Sequence, residues 1–281
     1  MKKTIPVTLI SLVLVLGFAA LVYYGFKHSR GTPVVYEAPE ISFVEVKHIK
    51  NEIDLSYEVA LDVWEAIPAQ EVEMMYQVTV LPWPKSSIDK MRVKAFHDAK
   101  DIYFYLNWED STENRSLEVG RFSDACALMF PLNEEVKPAT IMMGFMNTTN
   151  IWQWKALHDE EFWTQSSPSS EAYVDFYYPF EEDELFPVSR STPKSAVNDL
   201  LAVRVGTVTI KETQNIQGRG IWKDGQWHVV FKRSLTGTDL DEDAAFDQEK
   251  TIYCALGVWN GEEGDRGGRK SISDWIELKI Q

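Results

Sequence analysis

Past residue 40 the chain repeats one pattern. Short runs in which apolar and polar side chains alternate, or in which aromatic and β-branched residues crowd together, are separated by polar or glycine-bearing turns. The runs are ISFVEVKHI, YQVTVL, MRVKAFH, IYFYLNW, ACALMF, TIMMGFM, AYVDFYY, VRVGTVTI, WHVVFK, TIYCALGVW and WIELKI. Each is of strand length, and period-two alternation turns one face of a strand toward a core. DAKD, KDGQ and the glycine-rich NGEEGDRGG supply turn signals, and KDG between GIW and QWHVVF predicts a tight hairpin. No long amphipathic helix stands out, and short ones are expected around Ala66 to Met75 and Lys194 to Leu201. The pattern predicts an all-β fold: an antiparallel β-sandwich with short helical insertions. Such a fold is silent on function.

The N-terminus departs from this pattern. Lys2 and Lys3 precede an uncharged run of 23 residues, Thr4 to Phe26, long enough to cross a bilayer core of ~30 Å as one transmembrane helix. Tyr23 and Tyr24 fall where interfacial aromatics belong, and the tail LVYYGFKHSR lacks an A-x-A cleavage site. An uncleaved signal anchor is therefore expected, with a cleaved signal peptide as the alternative. Lys27 and Arg30 nearly balance the two N-terminal lysines, so charge leaves the orientation open. The expected organisation is a membrane segment over 1–30, an extended linker over 31–40 with Pro33 and Pro39, and one β-sandwich domain over 41–281.

Composition narrows the chemistry. With 281 residues, 44% of them hydrophobic, the chain can bury one large core. Its formal net charge of -15 argues against nucleic acid as a partner, because phosphate binding needs clustered cations. Two cysteines, Cys126 and Cys254, exclude a disulfide-rich scaffold, a four-cysteine zinc or iron–sulfur site and a CxxCH haem attachment. Both sit in apolar runs and are expected as buried free thiols, a single disulfide being the alternative. There is no P-loop, GxGxxG, HExxH or GxSxG, and the five histidines show no i, i+4 pairing. Asp98 and Asp110 bracket YFYLNW and are expected to cap turns.

One segment is unusual: IMMGFMNTTNIWQWKA, from Ile141 to Ala156. It reads either as a strand edge with a core-packed turn or as a cofactor wall. In the second reading a methionine thioether is a soft donor suited to haem iron, Gly144 permits close approach of a flat macrocycle, and Trp152 and Trp154 pack against its rim.

In order along the chain stand MRVKAFHDAKDIYFYLNWED, GRFSDACALMFP, MGFMNTTNIWQWKA, GRGIWKDGQWHVVFKRSL and ALGVWNGEEGDRGGRKSISDW. Together they resemble the haem-binding domain of the ethylbenzene dehydrogenase γ-subunit family, which includes γ-subunits of dimethyl sulfide dehydrogenase, selenate reductase and chlorate reductase. The resemblance runs from about Tyr57 to Ile280. The departures are Cys126 and Cys254, where small or aliphatic residues are expected.

The resemblance implies one non-covalent haem b with a Met and Lys axial pair. The family's Met-Gly step falls at Met143-Gly144, with Met142 as the alternative ligand. The lysine is Lys232 in HVVFKRSL or Lys223 in IWKDG. Lys232, after an apolar run, is the first choice, and Arg233 beside it points to the other face, toward a carboxylate or a haem propionate. A doubly ligated iron has no open position, so the implied role is electron transfer rather than catalysis. The implied partners are a molybdenum-cofactor catalytic subunit, an iron–sulfur subunit and an external carrier, either a c-type cytochrome or quinone-linked. The implied location is the extracytoplasmic, periplasmic side of the membrane. Two alternatives stand beside it. One is a free-standing membrane-tethered cytochrome or the haem subunit of a nitrite or nitrate oxidoreductase. The other is a non-redox carbohydrate-binding sandwich using tryptophans such as Trp83, Trp163 or Trp222.

Overall fold

The hairpin expected at KDG anchors one side of the molecule. In the computed structural model β9 (Gln217–Lys223) and β10 (Gln226–Ser234) pair antiparallel from Lys223↔Gln226 to Gln217↔Lys232. Asp224 and Gly225 join them at φ 53° and 76°, the paired left-handed residues of a turn whose twist matches the strands. The structure describes residues 42–77, 87–116, 120–132, 148–165, 193–203, 207–239, 241–247 and 250–281.

From this hairpin a first sheet extends through β4 (Asp101–Glu109) to β3 (Lys90–His97). The end of β3 pairs with β1 (Ser42–His48), β1 with β13 (Ile276–Ile280), and β13 with the start of β11 (Ile252–Trp259). A second sheet runs β8 (Val208–Ile210), β7 (Val197–Ala202), β6 (Thr149–Lys155), β5 (Ala125–Pro131), β11, β12 (Lys270–Ser273) and β2 (Gln70–Gln77). Two strands pass from one sheet to the other. Gln70 to Glu73 of β2 pair with β3 while Met74 to Gln77 pair with β12. Likewise Ile252 to Cys254 of β11 pair with β13 and Ala255 to Trp259 with β5. The all-β, mostly antiparallel sandwich is therefore as expected, except that β1 runs parallel to both β3 and β13. Alternation reports which face of a strand is buried and carries no information on partner direction.

The helical expectations are corrected. The stretch Ala66 to Met75 runs into β2, where Val72 and Met74 are buried and Glu71 and Glu73 are exposed, a period of two. Lys194 to Leu201 runs into β7. The helices among the described residues are α1 (Leu61–Glu65) and α2 (Ala156–Thr164). The latter escapes periodicity because its buried residues include Asp159 and Glu161 rather than an apolar stripe. TIMMGFM, AYVDFYY and the N-terminal segment lie outside the described residues. Among the described residues no helix is long and apolar enough to cross a membrane.

The core between the sheets is built from tryptophan and phenylalanine. Trp154 meets Trp227 edge-on at 5.0 Å between ring centroids, and Phe130 lies 4.7 Å from Trp152. A second apolar cluster explains why β4 is buried on both faces. Residues 49–67 cover the outside of the first sheet, setting Trp64 against Tyr105 and Phe96 at 5.2 and 5.1 Å.

Candidate functional site

Three regions hold the residues that the sequence singles out. The first is the interlayer space at the end where β5 stops and β6 begins. The connection carrying Met142, Met143 and Gly144 lies outside the described residues, but its ends meet, with the Leu132 N–H bonded to the Thr148 carbonyl at 2.9 Å. Beside them Trp152 donates to Asn150 Oδ1 at 2.8 Å, and the Arg233 guanidinium lies 4.9 Å from the Trp152 ring centroid and 5.3 Å from that of Phe246. Arg233 also donates to the Ala244 carbonyl and to Asn150 Oδ1. Asn150 in turn donates to Asp199 at 2.6 Å, and Lys211 pairs with Asp199 and Asp243. Two buried cations thus face two buried carboxylates, the balance that lets charge sit in a core. Trp154 and Trp227 close the other end of this layer through buried carboxyls, Trp154 donating to Asp159 at 2.9 Å and Trp227 to Asp124 at 3.0 Å. Burial pushes Asp124 up to about 7, helped by the charge of Asp110, against three N–H donors.

The second region is the outside of the first sheet. Lys232 projects there, opposite to Arg233, because successive residues of a strand point to opposite faces. Its ammonium lies 3.2 Å from Glu52, 3.5 Å from Asp101 and 5.4 Å from the ring centroid of Tyr103. Lys223 is exposed at the hairpin, six residues along the ladder from Lys232, roughly 20 Å at strand rise. The structure therefore brings Trp152 and Arg233 together, sets Trp154 two residues further along the same core, and places both lysines elsewhere. Asp98 and Asp110 cap turns as expected, Asp98 accepting the Lys100 and Asp101 N–H groups and Asp110 that of Thr112. Both cysteines are buried free thiols.

The third region, which the sequence reading did not single out, is the outer face of the second sheet. Cys126, Leu128, Leu256 and Val258 point into the core, while Ala125, Ala127, Ala255 and Gly257 alternate to the other side. Across β5 and β11 Ala127 pairs with Gly257, Ala125 with Trp259 and Ala255 with Met129, an apolar floor in which small residues stand beside large ones. Trp259 and Trp275 flank it. A Cβ at Gly257 would stand 3.4 Å from Lys270 Cδ and 3.5 Å from the Trp259 ring, so the glycine lets both lie over the floor. The Lys270 amine is 5.2 Å from the Trp259 ring centroid and 3.4 Å from the Gly267 carbonyl, and burial lowers its pKa to about 8 against the charge of Asp265. The Trp275 indole N–H, buried, has no hydrogen-bond partner among the described residues. The signal in the sequence was the register of small residues in ACALMF and YCALGVW, one face small and the other large.

The profile of the ethylbenzene dehydrogenase family matches residues 61–271, most of the sandwich. The chain belongs to this family. Among its relatives is a candidate respiratory nitrate reductase haem subunit of Haloferax mediterranei, 27% identical over 77% of this chain and 66% of that one, so this chain spans somewhat less than two thirds of that relative's length. Another is the chlorate reductase γ subunit of Ideonella dechloratans, 22% identical over 78% of this chain and 77% of that one. Among solved structures, a family 9 carbohydrate-binding module of Caldicellulosiruptor kristjanssonii is 12% identical, covering 85% of this chain and 95% of its own, with a TM-score of 0.39. In this ethylbenzene dehydrogenase family member the matched span includes the floor on β5 and β11 and both interior tryptophans of β6.

Proposed function

We propose that this chain is a haem-binding electron-transfer subunit of a reductase complex and not its catalytic chain. The observation that carries the reading is the family match across residues 61–271, joined to relatives that are themselves named as subunits of reductases. The group proposed is a single haem b, held without covalent attachment because the sequence has no CxxCH. With both axial positions filled by protein, such a group supplies one-electron storage and no site for substrate.

The described residues fit a flat, largely apolar ligand of this kind. The outer face of the second sheet offers a floor of alanine and glycine, an uncommitted indole N–H at Trp275 and an amine at Lys270. Met143 is the proposed sulfur ligand, with Met142 as the alternative, in a connection that leaves and re-enters this same sheet. Of the two lysines that the resemblance offers, Lys232 lies at the end of the sandwich from which that connection departs, and Lys223 lies at the opposite end.

The proposed partners are a molybdenum-cofactor catalytic subunit, an iron–sulfur subunit and an external carrier, reached on the extracytoplasmic side with Thr4 to Phe26 as the anchor. A second assignment, the haem subunit of a nitrate oxidoreductase, is favoured by the name of the Haloferax relative.

The test is the visible spectrum of the purified full-length chain after expression with added haem. A low-spin b-type spectrum, lost in Met143→Ala, is expected. A colourless protein overturns the reading.

A further inference from the structure

We infer that the loop after β4 and the approach to β5 form a calcium site, with Asp110, Thr112, Asn114 and Asp124 as its oxygen ligands. The inference is independent of the haem reading.

Charge compensation singles out the two aspartates. Each of the other buried aspartates among the described residues has a cation beside it: Lys232 at Asp101, Arg115 at Asp159, Lys211 between Asp199 and Asp243, and Arg269 at Asp265. Asp110 and Asp124 are 3% and 0% exposed, and among the described residues no cation stands within ion-pairing distance of either. Arg115, on the same loop, is turned to Glu113 and Asp159, its guanidinium 4.9 Å from the ring centroid of Trp227. The two carboxylates instead act on one another, the charge of Asp110 bearing on Asp124 and that of Glu262 on Asp110. A buried pair of like charges has a desolvation cost and no attraction to offset it, which is why buried carboxylates are ordinarily paired or hold a metal.

A free ligand atom points to the metal. Asp110 Oδ1 takes the Thr112 N–H at 3.1 Å, whereas Oδ2 is buried with no hydrogen-bond partner among the described residues. The Trp108 indole N–H turns toward this carboxylate without reaching bonding geometry. Neutral oxygens gather beside it, Thr112 Oγ1 lying 3.1 Å from Asp110 Oδ1 and 2.9 Å from Asn114 Oδ1. The hydroxyl has one proton for these two acceptors. Oxygens held about 2.4 Å from a calcium ion stand about 3 Å from one another, and calcium accepts carboxylate and neutral oxygens in irregular geometry where magnesium demands an octahedron. The set contains no sulfur or imidazole, so it does not suit a softer metal.

The fourth ligand is fixed from three segments. Asp124 accepts the Asn114 N–H at 2.8 Å, the Gly261 N–H at 2.8 Å and the Trp227 indole N–H at 3.0 Å, which leaves a lone pair on Oδ1. A Cβ at Gly261 would collide with the Phe122 carbonyl, so glycine there lets the turn after β11 close on the site. Bound calcium would thus join the end of β4, in the first sheet, to the ends of β5 and β11, in the second.

The purified full-length chain, stripped with EGTA, is titrated with calcium to about 1 mM and read by calorimetry and thermal denaturation. Uptake of one calcium per chain, with a melting temperature that rises with calcium, is expected, and magnesium should bind about tenfold more weakly or less. Asp110→Asn keeps the shape of the side chain and should weaken calcium binding about tenfold or more. In EGTA the same variant should melt no lower than the wild type, because it removes repulsion between buried carboxylates; this separates a lost ligand from a lost fold. Asp101→Asn, at the far end of β4 with Lys232 as its cation, should bind calcium as the wild type does. The assignment is overturned by a wild-type chain that takes up no calcium, by magnesium binding as tightly, or by Asp110→Asn that binds calcium unchanged or melts lower in EGTA. A higher melting temperature for Asp110→Asn in a chain that binds no calcium would give the pair a shared proton in place of the metal.

Discussion

Arg233 holds its guanidinium 4.9 Å from the ring centroid of Trp152, inside the layer between the sheets. Asp199 and Asp243 supply the compensating charge, and the carbonyl of Ala244 takes a hydrogen bond. Replacing it by methionine keeps most of the volume but leaves two buried carboxylates facing Lys211 alone. Removing one partner of a buried charge cluster typically costs 3–5 kcal/mol. Arg233→Met is therefore expected to lose about 3 kcal/mol in urea denaturation. The residue lies on β10 of the first sheet and faces the layer between the sheets, so the expected loss is one of stability. A changed spectrum at unchanged stability would show instead that Arg233 touches the haem.

The pair of Lys211 and Asp243 predicts an acid dependence. Burial alone would push the Asp243 carboxyl up, but the Lys211 hydrogen bond, the Asp239 N–H and the charges of Lys211 and Arg233 outweigh it and hold the group at about 2. A carboxyl lowered on folding stabilises the protein above its unfolded pKa, near ~4, and that contribution is lost as pH falls toward 2. Burial pushes Asp199 the other way, upward, against its hydrogen bond from Asn150 and the charge of Lys211. Urea midpoints at pH 4.5 and 2.5 should differ less in Lys211→Met than in the wild type. An equal drop in both proteins would count against the pair.

Strand content was readable in the chain because alternation is a local property. IYFYLNW and WHVVFK became β4 and most of β10, and KDG became the turn between β9 and β10. What alternation does not record is what lies on each face. Lys232 and Arg233 are adjacent letters in one apolar run, yet one faces Glu52 and the other Trp152. Segment 49–67 reads as a connection, and only the fold shows it covering Tyr103 and Tyr105. Lys270 follows the glycine-rich turn signal NGEEGDRGG, and nothing local in the sequence sets it over Gly257, thirteen positions earlier and on the neighbouring strand, where the fold places its stem.

Lys232 offers a check on the outer face of the first sheet. Its partner Glu52 is largely exposed while Asp101 is buried, so the pair is half screened and worth about 1 kcal/mol at most. Lys232→Met should cost about that much in low salt and less in 1 M salt, measured by thermal denaturation. A loss that salt leaves unchanged would mean that packing on Tyr103, not charge, holds the residue there.

Gly220 sets the tightest steric condition in the core. It lies opposite Val229 on β10, and a Cβ built there would stand 2.2 Å from Trp154 Cζ2 and 2.8 Å from Cε2. The indole cannot retreat freely, because its N–H is bonded to Asp159 Oδ1 at 2.9 Å and the Gly220 N–H shares that same oxygen at 2.9 Å. One carboxylate of α2 thus ties a strand of each sheet together. Gly220→Ala must either displace the ring or break this junction, and overpacking of this kind costs about 1–3 kcal/mol. Trp154→Leu removes the obstacle and costs several kcal/mol through the cavity it leaves. The two changes share one space, so their effects should not add. In the Trp154→Leu background, Gly220→Ala is expected to cost about 1 kcal/mol less than in the wild type, a coupling within reach of a double-mutant cycle in urea. Strict additivity would place the ring and the glycine in separate packing units.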